Sequence, residues 1–261
     1  MTNLINKVFL NIKRKNYRRA LDLLFELDLR YEISWTRNYL KGFCFRQIGD
    51  FYSSIYYYKE SLLSSSDKPL VLNAMGTTYQ DLNELCTAVS YFKNSAKLLK
   101  SEFQYSSKYS FYRKELLSEV YNNLGVIMEI KSEEECLPNH SLTSLIFHYD
   151  SLCTLEDAFK FHISNKIQRV MYNNERDYNN QKHFELQRIR YKNRNFSLFH
   201  INLASQLYRL GEIEKSEKCL NFCIRQINFR HEFWNTCVSA LSLLKEKTTL
   251  YNKKNIKFYF H

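Results

Sequence analysis

Seven cysteines, seven histidines and a net charge of +11 are the places where this chain could do chemistry. Cys219 and Cys223 stand four residues apart and share a helical face, and His231 and Cys237 follow, a ligand set that would suit zinc. An odd number of cysteines without regular spacing fits no disulfide framework and suits a reducing compartment. His148 and His162 fall in helical stretches, where a lone histidine is expected to pack or to face solvent. Gly-x-Ser-x-Gly, His-Glu-x-x-His and Gly-Lys-Ser/Thr are all missing, so the chain is expected not to be an enzyme and to need no cofactor. A second constellation is electrostatic. Arg188, Arg190, Lys192 and Arg194, interleaved with Tyr191 and Phe196, form a basic stripe suited to phosphates and stacked bases or to an acidic protein. The alternative for such a run is a solvated helix face.

The elements that would position these residues are helices. Only five Gly and two Pro punctuate 261 residues, and no run of strand-type alternation recurs. Val8, Gly42 and Gly76 lie 34 residues apart, and Gly42, Phe45, Ser54, Tyr58 and Ser61 fall on Gly76, Tyr79, Ala88, Phe92 and Ser95 in the next period. A 34-residue period marks an array of two-helix units. A small residue in the first helix and two in the second let paired helices approach closely, while an aromatic from each is expected to fill the space between units. A stack of helix pairs grows without the size limit of a single globular core.

On these residues the chain resembles the tetratricopeptide repeat family, whose units carry characteristic types at positions 4, 7, 8, 11, 20, 24, 27 and 32. The unit 35–68 matches through Gly42, Phe45, Ser54, Tyr58 and Ser61, with Gly49-Asp50 at the turn and Asn38 departing at position 4. The unit 69–102 matches through Leu72, Met75, Gly76, Tyr79, Ala88 and Phe92, with Asn83-Glu84 at the turn and Lys100 where a proline is usual. Unit 1–34 keeps Leu4, Ala20, Leu24 and Leu27 and reads as a degenerate end repeat. The resemblance implies an all-α fold, a right-handed α-solenoid of stacked helix-turn-helix repeats. Three repeats are expected over 1–102. An irregular helical segment is expected over 103–196, with one first helix at 118–131, opened by Tyr121, Leu124 and Gly125, and a loop at 132–140 around Pro138. Within that segment, Leu142 to Leu152 and Leu155 to Tyr172 read as separate helical stretches. Residues 197–261 supply a last repeat, with Ala204, Gly211, Ser216, Leu220 and Cys223 in frame, then a capping helix near Glu232 to Lys245 and a basic tail. The small packing position that Cys223 occupies favours a buried thiol over a zinc ligand.

The resemblance also implies a function. First helices of such arrays line a concave groove, and the groove-facing positions here are Tyr39, Phe43, Arg46 and Gln47, then Asn73, Thr77 and Gln80, then Asn122, Asn123 and Glu129, then Asn202, Ser205, Tyr208 and Arg209. Recurring asparagines could grip the backbone of an extended segment, with Arg46 and Arg209 attracting acidic side chains. The positions that clamp chaperone carboxylates in some members are Ile5, Phe9, Leu40, Leu70 and Ala74 here, so that ligand is not expected. The expectation is an adaptor or scaffold for a protein or peptide partner, acidic ones included. The alternative is a nucleic-acid-associated repeat protein using the basic stripe. No apolar stretch is long enough to insert into a membrane, and a cytoplasmic location is expected. The basic N-terminal residues Lys7 to Arg19 sit in the repeat frame, so an ordinary first repeat is expected there rather than a targeting segment.

Overall fold

A computed structural model describes residues 2–105, 111–135, 138–168, 190, 193–227 and 235–244. Every described secondary-structure element is an α-helix. Internal contacts divide the chain into two units, Met1–Ser107 and Lys108–His261.

The first unit holds α1 (Thr2–Lys13), α2 (Tyr17–Arg30), α3 (Trp35–Ile48), α4 (Phe51–Ser64), α5 (Lys68–Asp81) and α6 (Leu85–Tyr105). Local chemistry sets their ends. Ser34, Asp50 and Asp67 each accept a hydrogen bond from the backbone N–H three residues on, which satisfies one of the orphan donors at the starts of α3, α4 and α5. Gly49 turns the chain between α3 and α4 at φ +92°, a left-handed conformation that glycine adopts without strain. Leu21, Leu24, Leu27, Val8 and Cys44 close the core of α1 to α3, and Tyr58, Val71 and Met75 that of α3 to α6.

The repeat positions make repeated contacts. A Cβ added to Gly42 would stand 2.7 Å from the Tyr58 ring, and one added to Gly76 would stand 2.6 Å from the Phe92 ring. Each aromatic therefore lies directly on bare backbone. Ser61 donates to the Trp35 carbonyl at 2.9 Å, and Ser95 to the Pro69 carbonyl at 2.8 Å, so the same small residue ties the second helix to the start of its own first helix in both units. Phe45 stacks on Tyr57 with centroids 5.3 Å apart, and Tyr79 on Tyr91 at 5.1 Å.

A buried ionic knot joins α2 to α3. Asp28 accepts from Arg37 Nε at 2.7 Å and pairs with Lys41 Nζ, while Arg37 also donates to the Tyr31 carbonyl at 3.2 Å and to that of Glu32. Lys41 occupies a repeat position where leucine is usual. Its ammonium lies 4.7 Å from the Phe25 ring centroid and 5.0 Å from that of Tyr57, so carboxylate and aromatic faces together replace lost water.

The second unit holds α7 (Phe111–Glu135), α8 (Pro138–Gln168), α9 (Arg194–Arg209), α10 (Ile213–Gln226) and α11 (235–244). Two expectations need correction here. The stretch 132–140 is not a loop of that length: α7 continues to Glu135 and α8 begins at Pro138. Glutamate favours helix, and proline is accepted in a first helical turn, where its missing N–H has no intrahelical role. The two helical stretches read between 142 and 172 are one continuous helix as far as Gln168. Residues 169–172 and the basic tail lie outside the described residues.

The frame across α7 and α8 follows from contacts. A Cβ on Gly125 would stand 2.7 Å from the His148 ring, so His148 takes the place that Tyr58 and Phe92 take in the first unit. Ser144 donates to the Gly125 carbonyl at 2.8 Å across 19 residues, as Ser216 donates to the Ala204 carbonyl at 2.7 Å across 12. Both comparisons give an excess of seven residues. Seven residues are about two helical turns, so α7 and α8 can each lengthen by about a turn while the same faces still meet. This helix pair is thus a repeat with a seven-residue insertion at its turn, and α9 and α10 are the next pair, joined at Gly211 with φ +79°.

Candidate functional site

The groove-facing residues of the first unit lie on α3 and α5. Tyr39 and Phe43 are half-buried, Tyr39 against Tyr58 at 5.6 Å and Phe43 against Tyr17 at 6.2 Å. Thr77 and Gln80 are half-buried on α5, with Thr77 donating to the Ala74 carbonyl at 2.8 Å. Gln47 is exposed, but Asn73 is only 4% exposed and belongs to the interior. Arg46 is engaged already: its Nε reaches Asp81 Oδ2 at 2.6 Å, linking the end of α3 to the end of α5.

The second unit repeats this link with the charges reversed. Glu129 at the same repeat position of α7 accepts from Arg209 Nε on α9 at 3.1 Å. One turn-set earlier, Asn202 donates to Asn122 at 3.0 Å, and Asn122 is 4% exposed. Within each unit, consecutive first helices are therefore clasped side by side through the polar residues that sequence reasoning assigned to a ligand. A buried amide needs a partner, and the neighbouring first helix supplies one. Asn123 and Ser205 are half-buried, and Arg209 is exposed while it holds Glu129.

The basic stripe divides similarly. Arg190 is a structural clamp: its guanidinium makes two hydrogen bonds to Glu156, at 2.8 and 2.7 Å, and one to Gln226 at 3.2 Å, and lies over Phe196 and Phe222. With its side chain 14% exposed, it does not project toward a phosphate. Arg188 and Lys192 lie outside the described residues, as does the side chain of Arg194.

Of the thiols weighed as zinc ligands, Cys223 and Cys237 are fully buried with sulfurs 3.7 Å apart, in a cluster with Leu152, Leu155, Phe159, Phe196, Phe199 and Ile227. Cys219 Sγ lies 3.5 Å from the His200 carbonyl, and His231 is outside the described residues. Among the described residues no group of three or more His, Cys, Asp and Glu is arranged to hold a metal, and no helix is long and apolar enough to cross a membrane. His162 lies in α8 with its side chain outside the described residues.

Two histidines not assigned a role from sequence are buried. Among the described residues His148 has no hydrogen-bond partner at either ring nitrogen, and its Nε2 is 3.8 Å from Glu129. His200 donates from Nδ1 to the Phe196 carbonyl at 2.7 Å and packs on the Phe196 ring at 4.3 Å. Burial pushes its pKa down to about 4. The loss of the aromatic at position 24 was the one signal that could have singled out His148. Nothing local marks His200.

Between α9, α10 and α11 lies an apolar cavity of about 350 Å3, walled by Ile201, Ala204, Tyr208, Leu220, Ala240 and Leu244. Ser205, one of the groove-facing residues, also borders it.

No protein-family model and no curated protein matches the sequence. Solved structures do. The chain is similar to that described under "Functional Characterization of Pseudomonas Aeruginosa pilF", with a TM-score of 0.59 and 13% identity over 98% of this chain and 89% of that one. It is also similar to the assembly chaperone of RpL4, Acl4, with a TM-score of 0.44 and 9% identity over 96% and 99% of the two chains. A tetratricopeptide repeat protein from Parabacteroides merdae gives 0.37 and 14% over 94% and 98%. The 34-residue frame, the glycine–ring contacts at Gly42, Gly76 and Gly125 and the similarity to the Pseudomonas aeruginosa structure together show that the chain has the tetratricopeptide-repeat fold, an all-α array of helix-turn-helix repeats.

Proposed function

We propose that this protein is a non-catalytic interaction scaffold that holds a protein or peptide segment against the exposed faces of its first helices. The observation that carries the reading is the lateral clasp of those helices, Arg46 to Asp81 in one unit and Arg209 to Glu129 in the other. Each clasp fixes two first helices in register, so their remaining polar and aromatic side chains form a fixed surface. In the first unit that surface is Tyr39, Phe43, Thr77 and Gln80. In the second it is Asn123 and Ser205, beside the Arg209 that holds Glu129. Fixed half-buried aromatics and amides suit segment recognition because little side-chain freedom is lost on binding. The ionic clasps are partly open to solvent, and an acidic partner would compete with Asp81 for Arg46 at a modest energetic cost.

The nucleic-acid reading loses Arg190, which is committed to Glu156. The test is affinity capture on the intact chain from nuclease-treated lysate, in parallel with Thr77→Arg/Gln80→Glu, which alters the surface and leaves the core untouched. Proteins retained by the wild type and lost by the variant support the scaffold. Capture that disappears with nuclease, or that the variant retains in full, overturns it.

A further inference from the structure

The geometry points to Cys223 and Cys237 as a thiol pair that hydrogen peroxide converts to a disulfide, fastening α11 to α10. Three observations support the site. The two sulfurs are 3.7 Å apart and 14 residues apart in sequence, one near the end of α10 and the other in the first turn of α11. Both side chains are wholly buried in one apolar cluster, so each is held facing the other by the packing of Phe196, Phe199 and Ile227. Cys223 also stands at the repeat position of Ser61 and Ser95, which tie their helix to the first helix of its own repeat, so a sulfur bond here would add a tie from the same position to the following helix.

The chemistry has a defined direction. The Cys223 thiol donates toward Cys237, which holds the Cys237 thiol below its ordinary pKa and raises that of Cys223. Cys237 is therefore the attacking thiolate. Its sulfur attacks one oxygen of peroxide, the O–O bond breaks, and hydroxide leaves and takes up a proton as water. The sulfenic acid so formed is attacked by the Cys223 sulfur, the S–O bond breaks, and a second water leaves. Two thiols lose two electrons and peroxide becomes two waters. Peroxide is a small oxidant, and the two sulfurs it would join already lie within reach of each other.

The bond would also fix one wall of the apolar cavity, because Ala240, Leu243 and Leu244 of α11 border it. Closing the intervening loop restricts the unfolded chain, so the oxidised protein melts several degrees higher than the reduced one. The test treats the folded full-length chain with hydrogen peroxide, blocks remaining thiols and maps tryptic peptides. The expected product joins residues 219–225 to residues 231–245 with the loss of two hydrogens. It persists in Cys219→Ser, disappears in Cys223→Ala and reverts with dithiothreitol. A link through Cys219, an unchanged or lower melting temperature after oxidation, or oxidation confined to Cys86 and Cys153 overturns the proposal. Should Cys223→Ala fail to fold, fragmentation of the wild-type linked peptide alone identifies which sulfur carries the bond.

Discussion

Replacing Gly76 with alanine separates helix propensity from helix packing, because the two push in opposite directions. In an exposed helix interior the change would stabilise by about 1 kcal/mol. Here the new methyl would stand 2.6, 2.7 and 2.9 Å from Cε1, Cδ1 and Cζ of Phe92, a ring that is fully buried. An entire ring edge, rather than a flexible tip, would have to move within a closed core. Overpacking of that kind costs about 1–3 kcal/mol, so the net expectation is destabilisation by up to about 2 kcal/mol. Gly76→Leu, with a branched side chain in the same gap, should lose about 2 kcal/mol or more. Urea unfolding followed by circular dichroism at the helix band measures both. The decisive control is the double-mutant cycle with Phe92→Leu, which removes the ring atoms that the methyl would strike. Alanine at 76 should then be tolerated, giving a favourable coupling of about 1 kcal/mol relative to the two single changes. Should Gly76→Ala be more stable than the wild type, or the cycle be additive, close approach at the glycine–aromatic position is not what this residue is for.

Other consequences are as direct. His200 titrates near 4 when folded and near its ordinary 6.5 when unfolded, so the unfolded chain binds the extra proton first as pH falls. Its contribution is therefore complete above 6.5 and is lost between 6.5 and about 4, by up to about 3 kcal/mol, and His200→Asn should flatten that part of a plot of urea midpoint against pH. Arg190→Ala should destabilise the second unit by about 3 kcal/mol because Glu156 is left largely buried without its partner, and Arg190→Lys should recover only part of the loss, both read as shifts in urea midpoint. Asp28→Asn leaves Arg37 and Lys41 buried without a counter-charge and should lower thermal stability by about 3 kcal/mol or more, whereas neutralising the exposed Asp22 beside Arg19 should change it by less than about 1 kcal/mol.

The amino-acid sequence by itself determined the units. The 34-residue spacing is a pattern in the sequence itself, and the caps Ser34, Asp50 and Asp67 and the turn at Gly49 each act on residues only a few places away, so none depends on what the chain packs against. The small and aromatic types at these positions were legible as well, but that the aromatic lies on the glycine of its own repeat instead of filling the space between units was decided by packing. Tertiary structure decided the frame of α7 and α8. A seven-residue insertion moves His148 and Ser144 out of the expected spacing, while about two turns of added helix restore their contacts with Gly125. It also decided which polar residues remain available. Arg46 meets Asp81 across 35 residues and Asn202 meets Asn122 across 80, so no local pattern could distinguish a ligand-facing side chain from one bonded to the next first helix. The same holds for Arg190, which reads as part of a basic stripe until Glu156, 34 residues earlier, is placed beneath it. Side-chain type fixes what a residue can bond to, but the distance to its partner is set by how the helices pack.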